Sequence, residues 1–215
     1  MIFKSIITRR ETAKRGIKTL DFLFLMFVLT TLNYSCKDTI EGIKVTNYYD
    51  ACPAFNTDLG DLATFKDPNN LFSIRFPYNW DVRESFSDTL YGIFGANMLE
   101  SSSDIEKLES ISAVAYQTID SLEVYAANEI RGLKNESNIK VKQVGRTVIN
   151  GNKVIWVLFK SKEELTSKGN LVIYIKKPSS NILFILQASV YSSDNYKERL
   201  CNLKQLLNTF KLSSN

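Results

Sequence analysis

Histidine is absent from this 215-residue chain. Its absence removes the usual general base, the usual zinc ligand and the common form of the serine triad. The chain has three cysteines and no Cys-x-x-Cys pair, which argues against a thioredoxin-like site or a zinc ribbon. No Gly-x-Gly-x-x-Gly motif or phosphate loop is present. We therefore expect no cofactor, no metal site and no catalytic residue, and we expect the protein not to be an enzyme.

The formal net charge of +4 comes from the N-terminal segment. Residues 1–35 contain six of the 27 basic residues and two of the 23 acidic residues, so 21 of each sign follow. A nucleic-acid-binding domain normally carries a basic excess on its folded part. This balance predicts that the protein does not bind nucleic acid.

Residues 1–35 resemble a removable leader. An apolar run, Phe22 to Leu29, follows a basic segment, and with Leu32 it covers about 11 residues, which suits a signal peptide and is too short for a membrane span. The pair Ser35-Cys36 resembles a lipobox, so we expect a Gram-negative lipoprotein that carries palmitate or another acyl chain on Cys36. An ordinary signal peptide cleaved elsewhere is the alternative. Lys37-Asp38 partly resembles a surface-export signal and leaves periplasmic and surface display both open.

Residues 36–62 are expected to form a tether that leads into a single domain over residues 63–215. The tether contains Cys52, and its end is rich in Asp and Asn. Once Cys36 is lipidated, Cys52 and Cys201 are the two remaining thiols, and the envelope permits disulfides. We therefore predict a possible disulfide between them, with two unpaired thiols as the alternative.

The clearest strand is Phe72 to Phe76, where apolar and polar residues alternate as in a half-buried strand, and Pro77 ends its pairing. Asn150-Gly151 between two apolar runs predicts a type I′ hairpin. Runs without alternation, such as Val154 to Phe159, predict strands covered on both faces. Short connections between the later strands predict an antiparallel meander. The remaining predicted strands are Val82–Phe86, Leu90–Met98, Ile111–Thr118, Val141–Ile149, Leu171–Ile175 and Ile182–Leu186.

Two amphipathic helices are expected to cover this sheet. Apolar residues at helical spacing run from Leu122 to Leu133, and Asp120 with Glu123 predicts a capping box. A second stripe runs from Tyr196 to Phe210, with Asp194 as its N-cap. One helix on each face of a central, mostly antiparallel sheet predicts an α+β protein with an α/β/α sandwich.

The corner Phe72-x-Ile74-x-Phe76-Pro77-x-x-Trp80, which follows Phe65-Lys66-Asp67-Pro68, resembles the opening of PsbP-like domains. Those domains share a fold with a eukaryotic Ran-binding family. The resemblance covers roughly Ala63 to Leu212. It implies an accessory or interaction role, and we expect Trp80 to be buried against the sheet.

We therefore expect an envelope lipoprotein that acts as a non-enzymatic binding or accessory module. Its expected partners are the membrane, through the lipid anchor, and an envelope protein of unknown identity. The alternatives are a carboxylate-dependent hydrolase of surface carbohydrate and a small-ligand carrier. Tyrosines that could line a pocket, or belong to core and rim, are Tyr78, Tyr91, Tyr116, Tyr174 and Tyr191.

Overall fold

A seven-stranded antiparallel sheet forms the centre of the protein in a computed structural model that describes residues 39–45, 60–87, 90–98, 105–162, 166–191 and 196–213. The leader and most of the predicted tether lie outside these residues. Strands over the described part are β1 Thr39–Ile40, β2 Ile43–Lys44, β3 Leu62–Lys66, β4 Phe72–Pro77, β5 Asp81–Ser87, β6 Leu90–Ala96, β7 Glu109–Gln117, β8 Ile139–Ile149, β9 Asn152–Lys162, β10 Ser167–Lys176, β11 Ile182–Tyr191 and β12 Lys211–Leu212. The helices there are α1 Leu122–Asn135, α2 Tyr196–Leu207 and a single 3₁₀ turn, Ile105–Lys107.

The main sheet joins two meanders. Strands β5, β6 and β7 pair in sequence, and α1 then takes the chain to β8 at the opposite edge. Strands β8 to β11 return across the sheet until β11 pairs with β7, giving the order β5-β6-β7-β11-β10-β9-β8. The predicted antiparallel meander is confirmed. The Asn150-Gly151 turn has φ values of 48° and 81°, so both residues adopt the left-handed conformation that the type I′ prediction requires.

Each face of the main sheet covers a separate core. One core contains Val154 and Trp156 of β9 together with β4 and α2, and the other contains Ile155 and Val157 together with α1 and the β1–β2 hairpin. Neighbouring residues of β9 therefore point into different cores, which confirms the prediction of strands covered on both faces. Ile40 and Ile43 of the hairpin are buried, although they fall within the predicted tether.

The predicted α/β/α sandwich with one helix on each face is wrong. The described residues form a mostly β protein, with twelve strands in three antiparallel sheets and two α-helices. The predicted strand around Phe72 lies in a second, three-stranded sheet of order β12-β4-β3 and not in the main sheet. This second sheet shares with α2 the core on one side of the main sheet. Periodicity shows that a strand face is buried, but it does not show whether a helix or another sheet covers it.

The Phe72–Pro77 strand is half-buried as predicted. Phe72, Ile74 and Phe76 are buried in the core, whereas Arg75 between them is exposed. Trp80 contacts the same core but remains partly exposed, so it is less buried than predicted.

The cap of α1 differs from the prediction. Ser121, and not Asp120, is the N-cap, and its hydroxyl accepts a 3.2 Å hydrogen bond from the Val124 N–H. The predicted cap of α2, Asp194, lies outside the described residues. None of the helices in the described ranges is long and apolar enough to span a membrane.

Candidate functional site

An open cleft of about 540 Å³ lies at one end of the main sheet. Its walls come from three separate parts of the chain: the first turn of α1, the start of β9 and the turn between β10 and β11. We call it the lysine cleft, and its lining residues are 121–123, 151–153 and 176–180.

The lysine cleft is built on turns that are held by hydrogen bonds. The Asn150 side chain donates to the backbone carbonyls of Asn208 and Phe210, at 3.1 and 2.6 Å, and so joins the β8–β9 turn to the end of α2. In the β10–β11 turn, the Ser180 hydroxyl donates to the Lys177 carbonyl and accepts from the Ile182 N–H, each at 3.2 Å. The cleft is therefore a fixed feature of the sheet end.

Lys176 fastens the loop that leads into α1. Its ammonium donates to the backbone carbonyl of Thr118 at 2.9 Å and to that of Asp120. These bonds hold the loop between β7 and α1 against β10. The loop residue between the two carbonyls, Ile119, is 90% exposed. The structure thus presents an isoleucine side chain to solvent from an anchored loop.

The lining of the lysine cleft carries a positive balance of charge. Lys153, Lys176 and Lys177 contribute ammonium groups, and Glu123 contributes the single carboxylate of the lining. A glycoside hydrolase of the common type needs two carboxylates that flank the bond to be cleaved. The charge pattern of this cleft therefore suits the binding of an anionic group better than acid–base hydrolysis.

Exposed apolar side chains flank the lysine cleft. Val148 of β8 lies directly opposite Lys153 of β9 and is 62% exposed. On the α1 side, Tyr116 and Val124 are 39% and 37% exposed. Together with Ile119, these residues form what we call the apolar rim. Exposed apolar residues that border a polar cleft are typical of a surface that contacts a partner.

A row of tyrosines supports the α1 side of the rim. The ring of Tyr125 lies 5.9 Å from that of Tyr116 and 6.0 Å from that of Tyr174. Burial raises the pKa of Tyr125 to about 12, with a further contribution from Glu129, and burial raises the pKa of Tyr174 further. Both hydroxyls are therefore protonated at physiological pH, and the row acts as packing.

The candidate tyrosines do not line one pocket. Tyr91 and Tyr174 are buried, Tyr78 is 73% exposed, and Tyr191 lies beneath the Lys168 ammonium at 4.9 Å from its ring centre. These tyrosines therefore belong to the core and to separate parts of the surface, as the second interpretation expected. The described residues also contain no group of three or more side chains suited to hold a metal ion.

One of the three predicted site cysteines, Cys201, lies within the described residues. Cys36, the predicted lipidation site, and Cys52 lie outside the described residues. Cys201 lies half-buried in α2 and takes part in a disulfide bond. Since neither of the other cysteines is described, the pairing of Cys52 with Cys201 remains a prediction.

Sequence reasoning did not find the lysine cleft. Ser121 and Lys176 are 55 positions apart, and only the antiparallel pairing of β9, β10 and β11 brings the three walls to one edge. The pair Lys176-Lys177 at the end of an apolar run is the one local signal, and it is equally typical of a solvated strand end.

No known protein-family model matches this chain, and no curated protein matches its sequence. Solved structures with a similar fold include the Ran-binding protein Mog1p of Saccharomyces cerevisiae, at 11% identity over 71% of this chain and 95% of that one, with a TM-score of 0.48. They also include the PsbP protein of the cyanobacterium Synechocystis, at 7% identity over 73% and 95% of the two chains, with a TM-score of 0.49. Both families named in the resemblance are therefore among the structural matches.

A third match is LpqN of Mycobacterium tuberculosis, described as involved in cell envelope biogenesis. Its identity is 12% over 72% of this chain and 91% of that one, with a TM-score of 0.48. The chain spans about half of a Bacteroides thetaiotaomicron structure, with 71% of this chain covering 48% of that one, at 15% identity and a TM-score of 0.46.

Proposed function

We propose that this protein is a non-enzymatic binding module of the cell envelope, anchored by lipid and engaged with a protein partner through the lysine cleft and its apolar rim. The observation that carries the proposal is the joint exposure of Ile119 and Val148 on either side of a positively lined cleft. Burying exposed aliphatic side chains against a partner is favourable by roughly 25 cal/mol per Å². An anchored loop and two fixed turns lose little freedom when the partner binds.

The two alternative functions fit this cleft less well. A carrier of a lipid or another small apolar molecule needs an enclosed pocket that buries most of its ligand, whereas this cleft is open to solvent. A carboxylate-dependent hydrolase needs a second acid beside Glu123. Binding of a macromolecular partner needs neither feature.

The function is tested by photo-crosslinking in intact cells. A photoreactive amino acid replaces Ile119, and the matched control carries it in place of Lys140, an exposed residue at the far end of β8. We expect one protein adduct from position 119 and none from position 140. Equal labelling from both positions would refute a partner at this face. Turnover of an envelope carbohydrate that Glu123→Gln abolishes without unfolding the protein would establish the enzyme instead.

The anchor is tested at Cys36. The sequence Ser35-Cys36 at the end of the apolar run supports acylation there. One acyl chain binds a membrane only weakly and reversibly, so stable anchoring needs more than one chain or a second signal. We expect Cys36→Ser to move the protein from the membrane fraction to the soluble fraction and to remove the acyl mass. Membrane retention of the variant without any lipid would contradict the anchor.

A further inference from the structure

The dimensions of the lysine cleft and its rim indicate what kind of partner segment fits. Ile119 follows β7, and Val148 lies on β8, with β11, β10 and β9 between these two strands. Four strand spacings of about 4.8 Å separate β7 from β8 by roughly 19 Å. Because Lys176 of β10 holds the loop that carries Ile119, the two sides of the rim lie closer together than this. An extended polypeptide of about six residues is therefore long enough to reach both sides.

The charges indicate the chemistry of that segment. Lys153 and Lys177 line the cleft, and the ammonium of Lys176, a third lining residue, donates to two backbone carbonyls. Glu123 is the one opposing charge in the lining. The centre of the cleft therefore favours negative side chains, and the two sides favour apolar ones.

The rim favours a polypeptide over a glycan or a phospholipid headgroup. Three of its four residues, Ile119, Val124 and Val148, are aliphatic. Sugar rings and charged headgroups gain little from aliphatic contacts, whereas apolar side chains of a peptide bury area against them. An anion without an apolar part would leave Ile119 exposed.

We propose that the lysine cleft recognises a short extended segment of a partner protein in which acidic residues are flanked by apolar residues. This inference rests on the proposed function and adds the chemistry of the partner to it. The acidic side chains contact Lys153 and Lys177, and the apolar side chains contact Ile119 on one side and Val148 on the other. Lys176 holds the loop that carries Ile119 and serves as a positioning residue.

The test uses two labelled hexapeptides and the purified full-length protein in detergent solution. One peptide has the sequence Ile-Ile-Glu-Glu-Val-Val, which presents Glu flanked by apolar residues on either face of the extended chain, and its control has Gln in place of each Glu. Binding is followed by fluorescence anisotropy at low and high salt. We expect the acidic peptide to bind about tenfold more tightly than its control at low salt, and salt to reduce this preference because exposed charges are screened.

A pair of charge-reversal variants locates the site. Lys153→Glu combined with Lys177→Glu is expected to lower the affinity for the acidic peptide by about tenfold or more. Each ion pair near the surface contributes a factor of up to about five, and the charge reversal adds repulsion. The matched control combines Lys140→Glu with Lys197→Glu, two exposed lysines outside the cleft, and should bind as the parent does. Unchanged far-UV circular dichroism shows that both variants are folded.

Three results would overturn the inference. Equal binding of the Glu and Gln peptides would exclude the acidic preference, and no binding of either peptide up to about 1 mM would exclude an extended segment of this kind. Anionic phospholipid vesicles that bind more tightly than the peptide, and lose binding in the cleft variant, would assign the lysines to a membrane surface. The crosslink from position 119 is independent of these peptides, so a protein adduct there would preserve the proposed function when the peptides fail.

Discussion

Replacing Trp156 by alanine is expected to lower the free energy of unfolding by about 3–5 kcal/mol, as truncation of a fully buried tryptophan usually does. Trp156 lies in β9 and is 1% exposed. It is paired with Gly145 of β8, and its indole occupies the space where a side chain at position 145 would begin. Denaturant unfolding followed by circular dichroism measures the change.

Two matched variants separate the role of Trp156 from general damage to the core. A Cβ at position 145 would lie 2.4 Å from the indole, so Gly145→Ala is expected to destabilise the protein by about 1–3 kcal/mol through overpacking. Trp80 is partly exposed, so Trp80→Ala is expected to cost less than Trp156→Ala. A larger loss for Trp80→Ala would show that the Phe-Pro-x-x-Trp corner, and not the β9 tryptophan, is the main anchor of this core.

The sequence predicted the main strands because their patterns are local. The alternation of Phe72, Ile74 and Phe76 requires one buried face, and the continuous run from Val154 to Phe159 requires two. The Asn150-Gly151 turn is equally local, since its two positive φ values suit those two residue types. Each of these features is specified within about ten residues, so no distant contact was needed to recognise it.

The arrangement of the strands into sheets is not local, and the sequence prediction failed there. Strand β4 pairs with β3, which is close in sequence, and with β12 at the end of the domain, through Phe72 and Leu212. An edge strand of the main sheet, such as β8, could show a similar half-buried pattern. Strands as well as helices therefore cover the faces of the main sheet. The amphipathic pattern could not distinguish a covering strand from a covering helix.

The N-cap of α1 is a local ambiguity that residue type alone does not resolve. Both Asp120 and Ser121 are suitable caps by type. In the structure, Asp120 lies in the loop before α1, where its backbone carbonyl accepts a hydrogen bond from the ammonium of Lys176, 56 positions away. Ser121 is then the residue in position to receive the Val124 N–H. The same lysine lines the cleft, so the loop before α1 and the candidate site share a contact that is distant in sequence.

Peptide mapping under non-reducing conditions is expected to recover Cys52 linked to Cys201. Cys201 lies in α2 and takes part in a disulfide bond. Cys36 carries the lipid in the proposed anchor, and a sulfur that is bonded to the lipid cannot also form a disulfide, so Cys52 is the remaining partner. Closing a loop of about 150 residues stabilises the folded protein by roughly 4–5 kcal/mol in the chain-entropy model, less any strain in the native state.

The stability of the disulfide variant tests this pairing quantitatively. Cys52→Ala combined with Cys201→Ala is expected to lower the free energy of unfolding by up to about 4–5 kcal/mol, and adding reductant to the parent should have a similar effect. Cys36→Ser is the matched control, because it removes a cysteine and leaves the bond in place. A peptide that links Cys36 to Cys201 would contradict the pairing and the lipid anchor together, since both predictions depend on the fate of the same sulfur.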